Sequence, residues 1–156
     1  MSCAPFVSSP PEVVKKMLEI ANVGPNDVVY DLGCGDGRIL FMAVKDFNAK
    51  KAVGYEIRED LYKSTLSEIQ KQNLIGRVQV INKDLFKADI SEATVITLYL
   101  TSIANERLKQ KLIDEARYGT RVVSHDFRIA GWQASKEESF NNHVIYLYTL
   151  PYAYKV

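Results

Sequence analysis

The sequence contains few of the residues that mark specialised proteins. Of its 156 residues only two are cysteine and two histidine, and the net charge is +1. Cys3 and Cys34 cannot supply a disulfide framework, and they do not have the spacing of metal ligands. We therefore expect no metal site and a reducing compartment, the cytoplasm. A near-zero net charge also argues against a general nucleic-acid clamp, which is normally strongly basic.

Long apolar runs are missing as well. No segment approaches the roughly 20 apolar residues that span a bilayer, and the N-terminus lacks the basic and then apolar pattern of a signal peptide. What is present, 47% hydrophobic and 25% charged residues, is the balance of an ordinary globular protein. At this length we expect one domain, residues 1–156, with an irregular N-terminal segment over residues 1–10.

Apolar periodicity predicts alternating helices and strands. Ser9 is expected to cap the first helix, which has Pro10 or Pro11 in its first turn. Helices follow from the apolar spacing in 13–21, 39–47, 59–72 and 103–116, and strands from the apolar runs 28–32, 51–57, 78–81, 93–100 and 120–124. Segments 132–140 and 143–150 then predict a hairpin, whose Asn141-Asn142 turn suits positive φ. This order predicts an α/β fold with a mostly parallel sheet, helices on both faces and a C-terminal antiparallel hairpin.

The loop Asp31–Arg38 (DLGCGDGR) is the strongest functional feature, because a strand leads through three alternating glycines into a helix. Its glycines, Gly33, Gly35 and Gly37, let the backbone approach a ligand closely. A dinucleotide loop would place its third glycine where Arg38 stands. Asp31 and Asp36 would repel a pyrophosphate but attract an ammonium or sulfonium group. S-adenosylmethionine carries both groups. A plain strand-to-helix turn is the alternative.

Two further carboxylates follow predicted strands. Glu56 ends the second strand, where an acidic side chain can accept hydrogen bonds from both ribose hydroxyls. Asp84 follows the third strand and can accept from the adenine amino group, with Leu85 or Phe86 against the ring. The alternatives are an exposed strand-end carboxylate for Glu56 and a turn or helix-cap aspartate for Asp84.

These motifs resemble those of class I S-adenosylmethionine-dependent methyltransferases. The resemblance spans residues 27–125 and includes the strand segment Thr97–Leu100. It implies a Rossmann-like seven-stranded sheet with an antiparallel last strand, and S-adenosylmethionine as cofactor, with S-adenosylhomocysteine as product. It also implies cofactor contacts by Ile57 and a lid formed by Phe6 and Val7.

A narrower resemblance covers nearly the whole chain. Segments 5–10, 28–33, 97–100 and 122–127, with Gly131-Trp132, are similar to archaeal broad-specificity protein-lysine methyltransferases. That group resembles mitochondrial lysine methyltransferases and, more distantly, the non-SET histone-lysine methyltransferase. The resemblance implies methyl transfer to lysines of proteins, among them small chromatin proteins. Ser8-Ser9 and Cys34 depart from the family pattern.

Candidate acceptor-site residues follow the fourth and fifth strands. Tyr99 can wall a lysine channel and accept a hydrogen bond from the amine, although a core tyrosine is equally consistent with its position. Thr97 is a weaker candidate on the same strand, and His125 can line the lysine entrance or serve the structure. Phe127 and Trp132 would form an aromatic wall. An apolar channel and the sulfonium charge both lower the lysine pKa, so a dedicated general base is unnecessary.

Two other functions fit the same cofactor site. A nucleic-acid methyltransferase usually has an [Asn/Asp/Ser]-Pro-Pro-[Tyr/Phe] clamp where this chain has Thr97–Leu100, and cytosine chemistry needs a cysteine near that strand. A non-catalytic cofactor-binding scaffold is the other alternative. We expect protein substrates, no stable nucleic-acid or membrane partner, and a monomer or a weak homodimer paired through the tyrosines of the C-terminal region, Tyr146, Tyr148, Tyr152 and Tyr154.

Overall fold

A computed structural model describes residues 7–155. Its helices are α1 (Pro11–Ile20), α2 (Arg38–Lys45), α3 (Glu59–Lys71) and α4 (Ser102–Glu115), and a short 3₁₀ turn covers Leu85–Lys87. Its strands are β1 (Val28–Leu32), β2 (Lys51–Tyr55), β3 (Val78–Ile81), β4 (Val95–Leu98), β5 (Arg121–His125), β6 (Lys136–Phe140) and β7 (His143–Thr149). None of the helices in this part of the chain combines the length and the apolar character needed to cross a membrane.

The strands form one seven-stranded sheet in the order β3-β2-β1-β4-β5-β7-β6. The first five strands are mutually parallel, and β7 runs antiparallel to both of its neighbours. Asn141 and Asn142 form the hairpin turn with φ of 50° and 65°. The predicted α/β class, the mostly parallel sheet and the C-terminal hairpin are thereby confirmed.

Helices cover both faces of the sheet, and β1, β2, β4 and β5 bury side chains on both sides. The edge strand β3 leaves Gln79 exposed on one side. One apolar cluster joins α1, α2 and α3 to the sheet through residues such as Met17, Leu40 and Ile69. The second joins α4 to the opposite face through Leu108 and Leu112. Each fully buried aliphatic side chain contributes about 1.5–3 kcal/mol.

Strand ends differ from the prediction in a way that matters for the site. The second strand ends at Tyr55 and the fourth at Leu98, so Glu56 and Tyr99 lie in the connections just beyond them. In parallel α/β sheets these connections at the carboxyl ends of the strands bind ligands.

The predicted cap of the first helix is wrong. Pro10 occupies the N-cap position of α1 and makes no side-chain hydrogen bond there. The Ser9 hydroxyl instead lies 2.8 Å from Nδ1 of His125, at the far end of the chain.

Candidate functional site

The glycine loop after β1 has a backbone that only glycine adopts easily. Gly33, Gly35 and Gly37 have φ of 87°, 57° and 83°. A Cβ on Gly37 would lie 2.8 Å from Cγ2 of Thr65 on α3. The Thr65 hydroxyl donates to the Gly35 carbonyl at 3.0 Å, so α3 holds the loop in place.

Gly33 presents exposed backbone between two leucines. A Cβ at this position would be 3.5 Å from Leu100 and 3.6 Å from Leu85, which is ordinary van der Waals distance. The structure thus brings Leu85, which is predicted to contact the cofactor, to the glycine loop. Leu100, which is not among the predicted site residues, lies there too. The two leucines form an apolar surface beside the exposed backbone of Gly33.

Asp31 lies at the centre of this edge and is only 4% exposed. Its Oδ1 accepts a 2.9 Å hydrogen bond from the Thr97 hydroxyl, because β1 and β4 pair these two residues in register. Burial raises the pKa of Asp31 to about 7, against the effect of the Thr97 hydrogen bond, and the Glu56 and Asp36 carboxylates raise it further. Thr97 therefore contacts Asp31, and its predicted place at the acceptor stays a prediction.

Asp36 is paired within the protein. Both of its oxygens accept hydrogen bonds from Arg38, at 2.6 Å and 3.0 Å. The Arg38 guanidinium holds the pKa of Asp36 below its usual value. The same guanidinium donates to the Ser9 carbonyl at 3.1 Å, which ties the N-terminal segment to the loop. Asp36 thus balances Arg38, and Asp31 is the loop carboxylate without a cationic partner among residues 7–155.

Glu56 is held by backbone amides. Its Oε1 accepts from the Gly35 N–H at 2.8 Å and its Oε2 from the Arg58 N–H at 2.9 Å. Each carboxylate oxygen has a second lone pair, so the ribose role predicted for Glu56 needs no rearrangement of these bonds. Asn82, which the sequence analysis did not single out, donates to the carbonyl of Glu56 at 2.9 Å.

Two more predicted cofactor contacts lie nearby. Ile57 directly follows Glu56, and its side chain is 46% exposed, so it is accessible to a ligand. Asp84 accepts a 3.0 Å hydrogen bond from the Phe86 N–H through Oδ1 and so caps the 3₁₀ turn. Its second oxygen remains available to an exocyclic amine. The Arg107 guanidinium lies over the Phe86 ring at 3.8 Å, which leaves Leu85 as the apolar contact toward the loop.

Tyr99 and His125 come together at the other end of this edge. Their rings stack with centroids 3.9 Å apart, and the Phe127 ring lies 6.4 Å from that of Tyr99. Burial and then the Asp126 carboxylate raise the pKa of Tyr99. Burial lowers the pKa of His125 to about 4. Both rings are therefore neutral at pH 7.

The surroundings of His125 were not foreseen. Its Nε2 lies 2.8 Å from Nδ1 of His143, and Asp126 contacts both imidazoles. Burial raises the pKa of Asp126, but hydrogen bonds from the Val144 N–H and from His143 outweigh it and the net shift is downward. Asn105 of α4 donates to the Phe127 carbonyl at 3.0 Å and so fixes the loop after β5.

Some predicted residues lie elsewhere. Trp132 is half-buried and packs against Tyr148 and Tyr154 at ring distances of 6.1 Å and 5.2 Å, beside the second apolar cluster. Its place in an aromatic wall with Phe127 stays a prediction. Val7 is 61% exposed, and Phe6 lies outside the described residues, so the lid stays a prediction.

Cys34 is a packing residue. Its Sγ would be 2.5 Å from a Cβ on Gly54, which shows how closely the thiol rests on β2. Burial raises the pKa of Cys34 well above its usual value. A buried thiol in this state is a poor nucleophile.

The chain resembles known methyltransferases over most of its length. A family described as the ANTKMT methyltransferase domain matches residues 31–136. A protein-lysine N-methyltransferase of Saccharolobus islandicus is 49% identical over 150 residues, with 94% of this chain and 93% of the relative aligned. The adenine nucleotide translocase lysine N-methyltransferase of Mus musculus is 30% identical over 83% of this chain, but the chain spans only 56% of that relative.

A solved structure has nearly the same fold. The RNA methyltransferase from Salinibacter ruber, in complex with S-adenosyl-L-homocysteine, superposes with a TM-score of 0.90 and 41% identity. The match covers 93% of this chain and 94% of that one. This protein is an RNA methyltransferase, whereas the relatives above are lysine methyltransferases, so the related proteins differ in the acceptor.

Proposed function

We propose that this chain, which belongs to the ANTKMT methyltransferase domain family, transfers the methyl group of S-adenosylmethionine to lysine side chains of proteins. The observation that carries the proposal is the division of the sheet edge into two chemically different ends. Asp31, Glu56 and Asp84 form a polar end, and Tyr99 and His125 form a neutral aromatic end.

The polar end has groups that match the cofactor. Exposed Gly33 backbone between Leu85 and Leu100 offers a surface for a flat or extended ligand. Within residues 7–155 the Asp31 carboxylate has no cationic partner, so it can pair with an ammonium or sulfonium group. Glu56 and Asp84 offer further acceptors to ribose hydroxyls and to the adenine amine. When bound, the cofactor supplies a methyl group on a positively charged sulfur.

The aromatic end suits a neutral amine. Deprotonating a free lysine at pH 7 costs about 4.6 kcal/mol, from its reference pKa near 10.4. Tyr99 and His125 are themselves neutral and add no positive charge that would repel a lysine. His125, with a pKa of about 4, is too weak a base to take the amine proton. Positioning can then supply much of the rate, and the proton leaves to solvent.

RNA is the second candidate acceptor, because the similar protein from Salinibacter ruber is an RNA methyltransferase. Against it, the segment Thr97–Leu100 has no proline and no side-chain amide to clamp a base amino group, and Cys34 is buried against Gly54 of β2. We also propose that the enzyme acts as a single catalytic domain in the cytoplasm, as a monomer or weak homodimer. Tyr146 and Tyr148 are buried within the fold, so they leave fewer tyrosines for pairing than expected.

A methyl-transfer assay distinguishes these candidates. The full chain is incubated with methyl-labelled S-adenosylmethionine and one of four acceptors: a lysine-rich protein, the same protein with its lysines acetylated, RNA, or none. Label in the untreated protein alone supports the proposal. Label in RNA alone supports the second candidate, and calorimetric binding of S-adenosylhomocysteine without any transfer would indicate a scaffold.

Broad specificity and chromatin substrates are a finer part of the proposal. The acceptor end is open beside Phe127, which is 37% exposed, and this favours flexible segments over one shaped partner. Comparable initial rates on several unrelated lysine-bearing proteins, including a small basic chromatin protein, would support broad specificity. Transfer to only one of them would contradict it.

A further inference from the structure

Both histidines of the chain meet at one point with a carboxylate. His125 ends β5, Asp126 follows it, and His143 begins β7. The facing nitrogens, Nε2 of His125 and Nδ1 of His143, are 2.8 Å apart. Oδ2 of Asp126 lies 3.3 Å from the first and 3.0 Å from the second. Three potential donor atoms thus form a small, nearly equilateral triangle.

Hydrogen bonding alone does not satisfy this triangle. If both facing nitrogens carry protons, each can donate to Asp126, but two N–H groups then meet at 2.8 Å. If either nitrogen is unprotonated, its lone pair faces the carboxylate oxygen, at 3.3 Å for His125 or 3.0 Å for His143. Every arrangement of neutral imidazoles therefore leaves one of the three contacts without a hydrogen bond. A cation between the three atoms turns all of them into favourable ones.

The size of the triangle fits a metal ion. Three ligand atoms at about 2.1 Å from an ion lie about 3.0 Å apart on one face of an octahedron, and about 3.4 Å apart in a tetrahedron. The three observed distances fall around these values. Two imidazoles and one carboxylate on a face, with positions left for water, are a ligand set that first-row divalent ions accept.

Neighbouring groups orient the ligands. The Ser9 hydroxyl lies 2.8 Å from Nδ1 of His125 and can accept its proton, which leaves Nε2 as the ligand atom. The Val144 N–H donates to Oδ1 of Asp126 at 3.0 Å and aims Oδ2 at the imidazoles. Such outer contacts are typical of metal ligands. The side chains of Asp126 and His143 are 29% and 26% exposed, so an ion can enter from solvent.

We infer that His125, Asp126 and His143 bind a divalent first-row transition-metal ion. The ion would join the end of β5 to the start of β7, with the His125 ring still stacked on Tyr99. Because Ser9 contacts the same imidazole, the ion would also fix the segment that leads into α1. The inference rests on these four side chains and does not depend on which acceptor the enzyme methylates.

Metal titration of the tag-free full chain tests the site directly. The sequence has only two histidines, so no other imidazole can bind the added ion. All proteins in this experiment carry Cys3→Ser, which removes the N-terminal thiol. Nickel, cobalt and zinc are each titrated by calorimetry into this otherwise wild-type chain and into its His143→Gln, Asp126→Asn and Glu137→Gln variants. Glu137→Gln is the matched control, because this carboxylate lies on β6 outside the triangle.

The expected result is one ion per chain, with Kd weakened at least tenfold by His143→Gln and by Asp126→Asn and unchanged by Glu137→Gln. Thermal unfolding in metal-free buffer checks that each variant is folded. Cobalt should also shift or broaden the imidazole NMR signals of both histidines. Failure of wild type to bind any of the three ions, equal binding by His143→Gln, or an effect on only one imidazole would overturn the inference.

Discussion

Cofactor affinity should depend on pH through Asp31. This carboxyl is buried with a pKa of about 7, and the ammonium of the ligand can pair only with its ionised form. From pH 7.5 to pH 5.5 the ionised fraction falls from about three-quarters to about one-thirtieth. The affinity for S-adenosylhomocysteine should therefore fall about 25-fold, or about 1.9 kcal/mol. The His125 imidazole, with a pKa of about 4, stays neutral over this range.

Calorimetric titration with S-adenosylhomocysteine at several pH values measures this effect. Below pH 7, binding should also release a proton, seen as a dependence of the binding heat on the ionisation enthalpy of the buffer. Asp31→Asn is the matched variant, since it keeps an acceptor for Thr97 but does not ionise. It should bind more weakly than wild type above pH 7 and show no dependence on pH. A flat wild-type profile, or the same slope in Asp31→Asn, would refute the role of Asp31.

The raised pKa of Asp31 makes folding stability change with pH in the opposite direction to cofactor affinity. The folded state raises the Asp31 pKa from 3.8 to about 7, so it binds the proton more tightly than the unfolded chain. The stabilisation that this proton provides is fully present below pH 4 and is lost as the pH rises through 7. Without ligand, Asp31→Asn should therefore raise the free energy of unfolding at pH 8 by on the order of 2 kcal/mol. Denaturant unfolding should show this gain shrinking toward pH 4, and a variant that is less stable at pH 8 would contradict it.

Three further substitutions test other parts of the site. Glu56→Ala should weaken S-adenosylhomocysteine binding by about 1–3 kcal/mol, because charge-assisted hydrogen bonds are lost, and unchanged calorimetric affinity would refute the ribose role. Tyr99→Phe should leave that affinity unchanged and lower the rate of methyl transfer, and an unaltered rate would show that the hydroxyl takes no part. Gly37→Ala should destabilise the fold by about 1–2 kcal/mol, because φ is 83° and the new methyl meets Thr65. Gly24→Ala, where nothing lies within 4 Å of the added Cβ, is its control in thermal unfolding.

The cofactor end of the site could be predicted because it depends on short-range signals. A strand, three glycines and a helix lie within the single segment 28–45, and the loop conformation follows from it. Glu56 and Asp84 each stand just past a strand that periodicity identifies. Parallel strands place their carboxyl ends at one edge, so the side chains meet there without any knowledge of the register.

The acceptor end depends on contacts between distant segments. Ser9 meets His125 across 116 residues, and His143 reaches it only because β7 pairs antiparallel with β5. A hairpin register shifted by one residue would turn His143 away. Metal-ligand spacing in the sequence also gave no signal, since Asp126 and His143 are 17 residues apart. The contact between Thr97 and Asp31 also depends on distant segments, because only the β1–β4 register places the Thr97 hydroxyl on the Asp31 carboxylate.

The uneven distribution of charge along this edge bears on how a lysine is activated. Asp36 and Arg38 neutralise each other, and the ammonium of the cofactor would neutralise Asp31. The other two carboxylates of the polar end, Glu56 and Asp84, are the ones proposed for the ribose and the adenine, not for the sulfonium. In the metal-free protein, Asp126, with a lowered pKa, is an anion beside the two imidazoles. A protonated lysine is thus attracted to this anion but becomes less favourable as it moves past Tyr99 toward a positive sulfur. It must lose its proton on that path, so the step that prepares the nucleophile follows from the order of charges and needs no side chain that acts as a base.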